Sequence, residues 1–233
     1  MVPVLAVVAC SSFGSEATSA PAPPPDAGSD APPAIVGTPV EEGCVALDGP
    51  SAPFGWAPTT TPGGQVLFAQ ADGDTKVMAA SVSTPGADAF LSLPIATLPQ
   101  PFHLEVTAKL DDPAIQPDGG ASPFASLLRA TCDAPSASAD VLVDATGIAI
   151  GVEPPTVDEG YRRVGSYFGQ WHKLALDVDG STAYLAVDGA AAGSIGFGAR
   201  LGGATGCKVE VGVRASADLA QPVSARFARV CVR

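Results

Sequence analysis

Apolar and polar residues alternate strictly along several stretches of the chain that follow Gly43. In the run Phe102–Leu110 every second residue is apolar, so that Phe, Leu, Val, Ala and Leu share one face. Three later runs repeat the two-residue period: 174–178, 183–187 and 209–213. A period of two predicts β-strands with one buried and one polar face. No segment carries a sustained apolar period of 3.6 residues, so minimal helix is expected.

Tight turns separate these predicted strands. Asp179-Gly180 lies between two of the alternating runs, and Asp188-Gly189 closes the second of them. An Asp-Gly pair is typical of a β-hairpin because glycine adopts positive φ at no steric cost. Short, regularly spaced strands with such turns predict an all-β, antiparallel two-sheet sandwich over residues 42–233.

The first ten residues, MVPVLAVVAC, are apolar and end in small residues before Cys10. Val7-Val8-Ala9-Cys10 resembles the lipobox of bacterial lipoproteins. The resemblance implies that residues 1–10 are an export signal and that Cys10 is acylated. The protein would then be a lipoprotein of the bacterial cell envelope, anchored at the outer membrane. No positive charge precedes the apolar run, which implies an atypical signal or a translation start further upstream.

Residues 11–41 are rich in proline, alanine and serine and contain few large apolar side chains. Proline fixes φ and removes a backbone donor. A segment of this composition cannot bury enough apolar surface to offset the entropy lost on ordering. We therefore predict a disordered, extended tether that spaces the domain from the membrane.

Composition narrows the range of partners. The net charge is −12, and no stripe of Lys or Arg is visible, which disfavours nucleic-acid binding. Hydrophobic residues make up 46% of the chain, yet no uninterrupted apolar run reaches the ~20 residues of a membrane span. We therefore expect a monomer whose membrane contact is the lipid on Cys10.

The chain has five cysteines, and an odd count in an exported protein leaves one thiol unpaired. If Cys10 carries lipid, an even set remains: Cys44, Cys132, Cys207 and Cys231. Four cysteines in an oxidising compartment predict two disulfides.

A family resemblance lies in the second half of the chain. The sequence WHKLALDVDG at 171–180, followed by AYLAVDG at 183–189, resembles the laminin-G-like and concanavalin A-like jelly rolls. In those domains a Trp opens a strand, a DG turn follows, and the next strand ends in VDG. Phe54-Gly55-Trp56 is similar to their aromatic motif near the N-terminus, and 225–231 is similar to their last strand. The resemblance implies a jelly-roll sandwich.

The same resemblance bears on the disulfides, because the last strand of these domains lies beside the first. That arrangement implies the bonds Cys44–Cys231 and Cys132–Cys207. A rival pairing also stands. If 205–214 and 223–232 formed a hairpin, Cys207 would bond to Cys231 and Cys44 to Cys132. Both pairings remain open at the level of sequence.

Enzymes on this fold define the chemistry to look for. Glucanases carry carboxylates alternately along one strand so that both face one groove, but no E-x-D-x-E or E-x-D-x-x-E occurs here. Polysaccharide lyases on the fold use Arg, Gln, His and Tyr. Arg129, His103 and Tyr167 are candidates of those types without the motifs around them. Two histidines leave little material for a triad, and cysteines used in disulfides cannot bind zinc. We expect His103 at the surface of its strand and His172 packed at a strand edge.

The densest patch of aromatic and basic residues is the candidate ligand site. It consists of Tyr161, Arg162, Arg163, Tyr167 and Trp171. Paired arginines beside aromatic rings suit an anionic glycan or a carboxylate-rich protein. Calcium is the one candidate cofactor, because laminin-G-like domains often bind it through Asp and backbone carbonyls. Asp72 and Asp74 are the nearest local, weak candidates for it.

The main functional prediction is a non-catalytic envelope lipoprotein whose sandwich binds a glycan or an envelope protein. Two alternatives remain. One is a structural envelope lipoprotein without a ligand. The other is a carbohydrate-active enzyme, a glucanase or a polysaccharide lyase, without recognisable motifs. Fold analogy separates these classes weakly, since one fold hosts many functions.

Overall fold

The computed structural model describes residues 43–111, 124–144, 147–153, 161–163, 169–196, 198, 201, 203–216 and 222–233. For residues 124, 144, 147 and 161–163 it describes the backbone alone. Several predictions therefore fall outside the described residues: the signal segment with Cys10, the tether at 11–41, the ligand candidate Tyr167, and the side chains of Tyr161, Arg162 and Arg163.

Fifteen strands account for most of the described chain. They are β1 (Cys44–Ala46), β2 (Ala57–Thr60), β3 (Gly64–Asp72), β4 (Thr75–Val82), β5 (Asp88–Thr97), β6 (Phe102–Leu110), β7 (Phe124–Asp133), β8 (Ser136–Asp144), β9 (Gly147–Glu153), β10 (Tyr161–Arg163), β11 (Trp171–Asp179), β12 (Thr182–Val187), β13 (Ala190–Gly196), β14 (Thr205–Ala215) and β15 (Val223–Val232). Eight strands form one sheet in the order β13-β12-β11-β6-β15-β4-β3, with β1 also paired to β15. The other sheet has seven strands in the order β10-β9-β8-β7-β14-β5-β2. The prediction of an all-β, antiparallel two-sheet sandwich is confirmed. None of the described residues forms a helix that is long and apolar enough to cross a membrane.

The alternating runs behave as their period predicts. In β6, Phe102, Leu104 and Val106 are fully buried in the core between the sheets. His103 and Glu105, which lie between them in sequence, are only partly buried on the outer face of the same sheet. Alternating side chains leave a strand on opposite faces, so the eight-stranded sheet has an apolar inner side and a charged outer side.

The DG turns form where they were predicted. Gly180 links β11 to β12 with a φ of 60°, and β12 is followed by Asp188 at 53° and Gly189 at 80°. Asp is among the few residue types that accept positive φ. Its carboxylate is also used, since Oδ1 of Asp188 accepts a hydrogen bond from the backbone N–H of Lys173 at 2.9 Å. Oδ2 lies 2.7 Å from Nδ1 of His172, so this histidine is hydrogen-bonded rather than simply packed at an edge.

Two disulfides connect neighbouring strands, as predicted. Cys44 of β1 bonds to Cys231 of β15, and Cys132 of β7 bonds to Cys207 of β14. These are the bonds that the family resemblance implied. The rival pairing required a hairpin of the last two strands. That hairpin does not form, because β14 and β15 belong to different sheets.

The hairpin of β3 and β4 forms one edge of the eight-stranded sheet, and its tip folds over the outer face of that sheet. Its pairing shifts register between Leu67 and Gln70. At its tip, Asp72 accepts a hydrogen bond from the indole Nε1 of Trp171 in β11 at 3.1 Å. Asp72 also forms an ion pair with Arg226 of β15. Because β3 lies four places from β11 in the sheet, these contacts require the hairpin tip to cross above the strands between them.

These contacts give Asp72 a different role from calcium binding. Its Oδ1 pairs with Arg226 and its Oδ2 accepts from Trp171, so both carboxylate oxygens already have donors. Asp72 is 6% exposed, and Lys109 adds a second positive charge 3.9 Å away. Within the described ranges, no group of three or more His, Cys, Asp or Glu side chains is arranged to hold a metal ion. Asp72 therefore holds the tip of the β3–β4 hairpin against the outer face of the sheet.

Candidate functional site

A row of polar side chains crosses the outer face of the seven-stranded sheet. In β14 the valines at 209, 211 and 213 point into the core, which places Glu210 between them on the opposite face. Glu210 is directly opposite Ser92 of β5 on one side and Arg129 of β7 on the other. Arg129 is in turn opposite Asp140 of β8. We call Ser92, Glu210, Arg129 and Asp140 the polar row.

Two members of the polar row are buried and two are partly buried, although the row lies on an outer face. Glu210 is 1% exposed and Ser92 is 9% exposed, and the side chains of Arg129 and Asp140 are 20% and 15% exposed. Transferring charged groups out of water is costly unless they are paired and hydrogen-bonded. A row of charged groups with little solvent exposure is therefore the candidate functional site of the described chain.

Asp140 has the most perturbed protonation equilibrium in the row. The pKa of Asp140 is raised to about 7, mainly by burial and to a smaller extent by the negative charge of Glu210. Hydrogen bonds from Ser126 at 2.9 Å and Ser138 at 3.2 Å act in the opposite direction, but burial outweighs them. At neutral pH this carboxyl group is therefore divided between its protonated and ionised forms.

Glu210 is held by one of its two oxygens. Oε1 accepts hydrogen bonds from Nζ of Lys208 at 2.8 Å and from Oγ of Ser92 at 3.2 Å. Oε2 is buried and has no hydrogen-bond partner among the described residues. A buried carboxylate oxygen without a donor is rare in folded proteins and calls for an explanation.

Arg129 stands between the two carboxyl groups. Its Nε lies 3.1 Å from Oδ1 of Asp140, an ion-pair distance that does not meet hydrogen-bond geometry. Neighbouring strands lie about 4.8 Å apart, so the strand positions of Glu210 and Asp140 are separated by about 10 Å with Arg129 midway. The guanidinium thus holds a positive charge at the centre of the row.

The backbone on both sides fixes the register of the row. On one side, β14 and β7 shift register between Val211 and Arg214, and β7 and β8 shift between Ser126 and Leu128. Bulges of this kind re-aim side chains and are enriched next to active sites. On the other side, the Cys132–Cys207 disulfide ties β7 to β14. A slip of one residue would turn every member of the row into the core, and these features oppose it.

The predicted ligand patch is divided between the two sheets. Trp171 opens β11 in the eight-stranded sheet, where its indole N–H is bonded to Asp72. Tyr161 begins β10 at the edge of the seven-stranded sheet, with its backbone opposite Gly151 of β9. Gly151 is itself opposite Asp140, so the position of Tyr161 is in line with the polar row. A binding role for the 161–163 segment stays a prediction. Trp171 instead contacts Asp72 at the tip of the β3–β4 hairpin.

The trio considered for a lyase does not form one site. Arg129 is in the polar row on the outer face of the seven-stranded sheet. His103 is on the outer face of the other sheet, where its Nδ1 lies 2.6 Å from Oδ1 of Asp177. The thickness of the sandwich therefore separates the two residues. The hypothesis that His103 and Arg129 act together in a lyase site is therefore wrong. The neighbours of Arg129 are other members of the polar row.

Solved structures share this fold. The Crh5 transglycosylase in its apo form matches with a TM-score of 0.58 at 14% identity, covering 83% of this chain and 85% of the enzyme. The alginate lyase AlyC3 matches with a TM-score of 0.53 at 10% identity, covering 70% and 76%. The GlcNAcα1-4Gal-releasing endo-β-galactosidase from Clostridium perfringens matches with a TM-score of 0.56 at 10% identity, covering 84% and 64%. The sequence matches no protein-family model and no curated protein.

Identities of this size establish the jelly-roll-like sandwich and nothing finer. They nevertheless correct the functional prediction. The non-catalytic assignment rested on the absence of a motif, yet the structures that share the fold are carbohydrate-active enzymes. The prediction that the sandwich is a non-catalytic binding module is therefore wrong.

The sequence reasoning missed Glu210 and Asp140 because it searched for carboxylates on one strand. The two residues lie on different strands, 70 positions apart in the chain. A weaker signal was present. Glu210 interrupts a run of alternating valines, and Asp140 is the one charged residue inside the stretch from Ser136 to Val143. In a chain with only 15% charged residues, an isolated charge at the centre of a strand was the signal that could have pointed to these two residues.

Proposed function

We propose that the domain is a carbohydrate-active enzyme that cleaves or transfers glycosidic bonds, with Asp140 and Glu210 as its catalytic carboxyl groups. One observation carries the proposal. Two carboxyl groups with little solvent exposure share one sheet face, and the pKa of one of them, Asp140, is raised to about 7. Carboxyl pairs whose environments separate their protonation states are the acid and base of glycoside cleavage.

The geometry assigns a role to each carboxyl group. Asp140, with its raised pKa, donates a proton to the glycosidic oxygen as the bond to the leaving sugar breaks. Glu210 forms an ion pair with Lys208, and its unpartnered Oε2 acts as the base that activates water. Two strand spacings between the carboxyl groups suit an inverting reaction better than a nucleophilic one, which needs carboxyl groups about 5 Å apart. Ser92 and Lys208 hold Oε1 and so orient the carboxylate.

The structural neighbours support this class of reaction, since they comprise alginate lyases, a transglycosylase and an endo-β-galactosidase. A second candidate is β-elimination from a uronic-acid polymer. Arg129 favours it, because a partly buried guanidinium at the centre of the row is suited to neutralise a uronate carboxylate. In that case Glu210 would remove the proton from the carbon next to the carboxylate, a carbon–carbon double bond would form as the C–O bond to the leaving sugar breaks, and Asp140 would protonate the leaving oxygen.

A polysaccharide panel tests the proposal. The wild-type chain is incubated with neutral glucans, galactans and uronate polymers, and new reducing ends are measured together with the ultraviolet absorbance of unsaturated ends. Reducing ends alone indicate hydrolysis, whereas both signals indicate elimination. We expect Asp140→Asn and Glu210→Gln each to lower kcat by about 10²–10⁴-fold. Because Asp140 acts as the acid, the activity of the hydrolase should fall as pH rises through about 7.

Asp177→Asn is the matched control, since this carboxylate lies on the outer face of the other sheet. It should leave kcat unchanged. Full activity in both Asp140→Asn and Glu210→Gln would exclude the assignment of the site.

We also propose, from the sequence, that the domain is an exported monomer held at the bacterial envelope by lipid on Cys10, with residues 11–41 as its tether. Two disulfides are in keeping with an oxidising compartment. A polysaccharide-active domain on such a tether would meet its substrate outside the cell.

A further inference from the structure

Phe54 is exposed to an unusual degree. Its side chain is 104% exposed, compared with 44% for Tyr184 and 38% for Leu67, the other exposed large apolar residues in the described part of the chain. Full burial of a phenylalanine side chain contributes a large hydrophobic free energy, which this residue forgoes. Phe54 therefore adds nothing to the core.

The turn that carries Phe54 is firmly attached to the sheet. The backbone N–H of Trp56 donates to the carbonyl oxygen of Pro53 at 3.0 Å, and the Trp56 side chain is 9% exposed within the core. Gly55 has a φ of 83° and packs closely against Leu93 of β5. A ring held on a fixed turn loses little entropy when a ligand packs against it.

The position of the turn relates Phe54 to the polar row. Three residues after Phe54, Ala57 begins β2 and pairs with Ser92 of β5. Ser92 is the end of the polar row and contacts Glu210. β2 is the edge strand of the seven-stranded sheet, so Phe54 lies at the sheet edge just past the end of the row.

We propose that Phe54 is the stacking platform of an outer sugar-binding subsite, and that the polysaccharide chain crosses the strands along the polar row. The C–H groups on the face of a sugar ring pack against the electron-rich face of an aromatic ring. This inference rests on the proposed function, because it takes Asp140 and Glu210 as the reacting end of the same cleft. Phe54 precedes β2, and β5 lies between β2 and the strand of Glu210, so we assign Phe54 to binding rather than to chemistry.

The subsite predicts a dependence on substrate length. Phe54→Ala should raise KM about tenfold for the intact polymer that the wild type cleaves, with kcat unchanged, because the platform binds ground state and transition state alike. Short oligosaccharides that do not reach the sheet edge should be cleaved as by the wild type. Phe54→Tyr should retain the long-substrate KM. Tyr184→Ala, on the eight-stranded sheet, should change neither constant.

Binding is measured separately from cleavage by calorimetric titration of each panel polysaccharide into Glu210→Gln, with and without Phe54→Ala. About tenfold weaker binding in the double variant supports the subsite, whatever the catalytic result. Equal binding overturns it. A third outcome separates the two proposals. If the wild-type chain cleaves no polymer of the panel but binds one of them in a way that depends on Phe54, the proposed function is wrong and the subsite stands. A single exposed apolar residue can occur without any ligand, and equal binding with and without Phe54→Ala is the result expected in that situation.

Discussion

The raised pKa of Asp140 serves the proposed catalysis and lowers the stability of the folded state. Its carboxyl group is buried beside the negative charge of Glu210, and this environment favours the protonated form. In the unfolded chain the same group ionises near its ordinary pKa of 3.8. Between pH 4 and 7 the folded state therefore binds more protons than the unfolded state, so stability falls as pH rises. A structural residue would gain nothing from this arrangement.

We expect Asp140→Asn to stabilise the protein at alkaline pH. The contribution of Asp140 is fully present below pH 3.8 and is lost as pH rises through about 7, a loss on the order of 4 kcal/mol. Asparagine stays neutral and avoids this loss. In urea unfolding the variant should match the wild type near pH 4 and exceed it at pH 8. Parallel stability curves for the two proteins from pH 4 to 8 would show that the pKa of Asp140 is not raised.

The sequence identified the chemistry of this face only in part. It singled out Arg129, but it joined Arg129 to His103 because residue type alone does not say to which sheet a strand belongs. Asp140 and Glu210 come together through β7, which pairs with β8 on one side and β14 on the other. Pairing between distant strands is set by packing in three dimensions, and no local pattern records it.

At the scale of elements, the β3–β4 hairpin depends on one buried charge. Asp72 at its tip contacts Arg226 of β15, Trp171 of β11 and Lys109 of β6. Removing one partner from a buried ion pair leaves an uncompensated charge, which costs more than the pair itself contributes. The hairpin is therefore stable in its position only while the charge on Asp72 is balanced.

Arg226→Met should destabilise the protein by about 3 kcal/mol in urea unfolding, because Asp72 keeps its charge and loses its main partner. Adding Asp72→Asn should restore part of that stability by removing the charge. Lys76→Met, at an exposed position of the same hairpin, is the control and should change stability by less than about 0.5 kcal/mol. Additive losses from Arg226→Met and Asp72→Asn would show that the two side chains are not coupled.

Elements with strong local signals were the ones that the sequence predicted well. β6, β11 and β12 follow from their alternation, and the DG turns follow from the tolerance of glycine for positive φ. The fold-back of the β3–β4 hairpin was not predictable, because it depends on a register shift near Ala69 and on contacts with three distant strands. Asp72-Gly73-Asp74 therefore looked like a loop open to calcium.

At the scale of the molecule, the two outer faces differ in what they do. On the outer face of the eight-stranded sheet, the tip of the β3–β4 hairpin is held by the contacts of Asp72 with Arg226, Lys109 and Trp171. The seven-stranded sheet carries the polar row, and its register is secured by bulges and by the Cys132–Cys207 bond. The other bond, Cys44–Cys231, joins the first strand to the last. The two disulfides thus secure different parts of the molecule, and their removal should have different consequences.

Both disulfides should contribute similar stability by constraining the unfolded chain. Their partners are 187 and 75 residues apart, for which the chain-entropy model gives on the order of 4–5 kcal/mol each, slightly more for the longer loop. We therefore expect Cys44→Ala/Cys231→Ala and Cys132→Ala/Cys207→Ala to lose comparable stability in urea at pH 4.

The pH dependence should separate the two variants. Loss of Cys132–Cys207 frees β7 from β14 beside the polar row, so water reaches Asp140 and its pKa moves back toward the ordinary value. The fall in stability between pH 4 and 7 should flatten in that variant and persist in Cys44→Ala/Cys231→Ala. If both variants keep the full pH dependence, the disulfide does not hold the row, and the register of the site depends on the bulges alone.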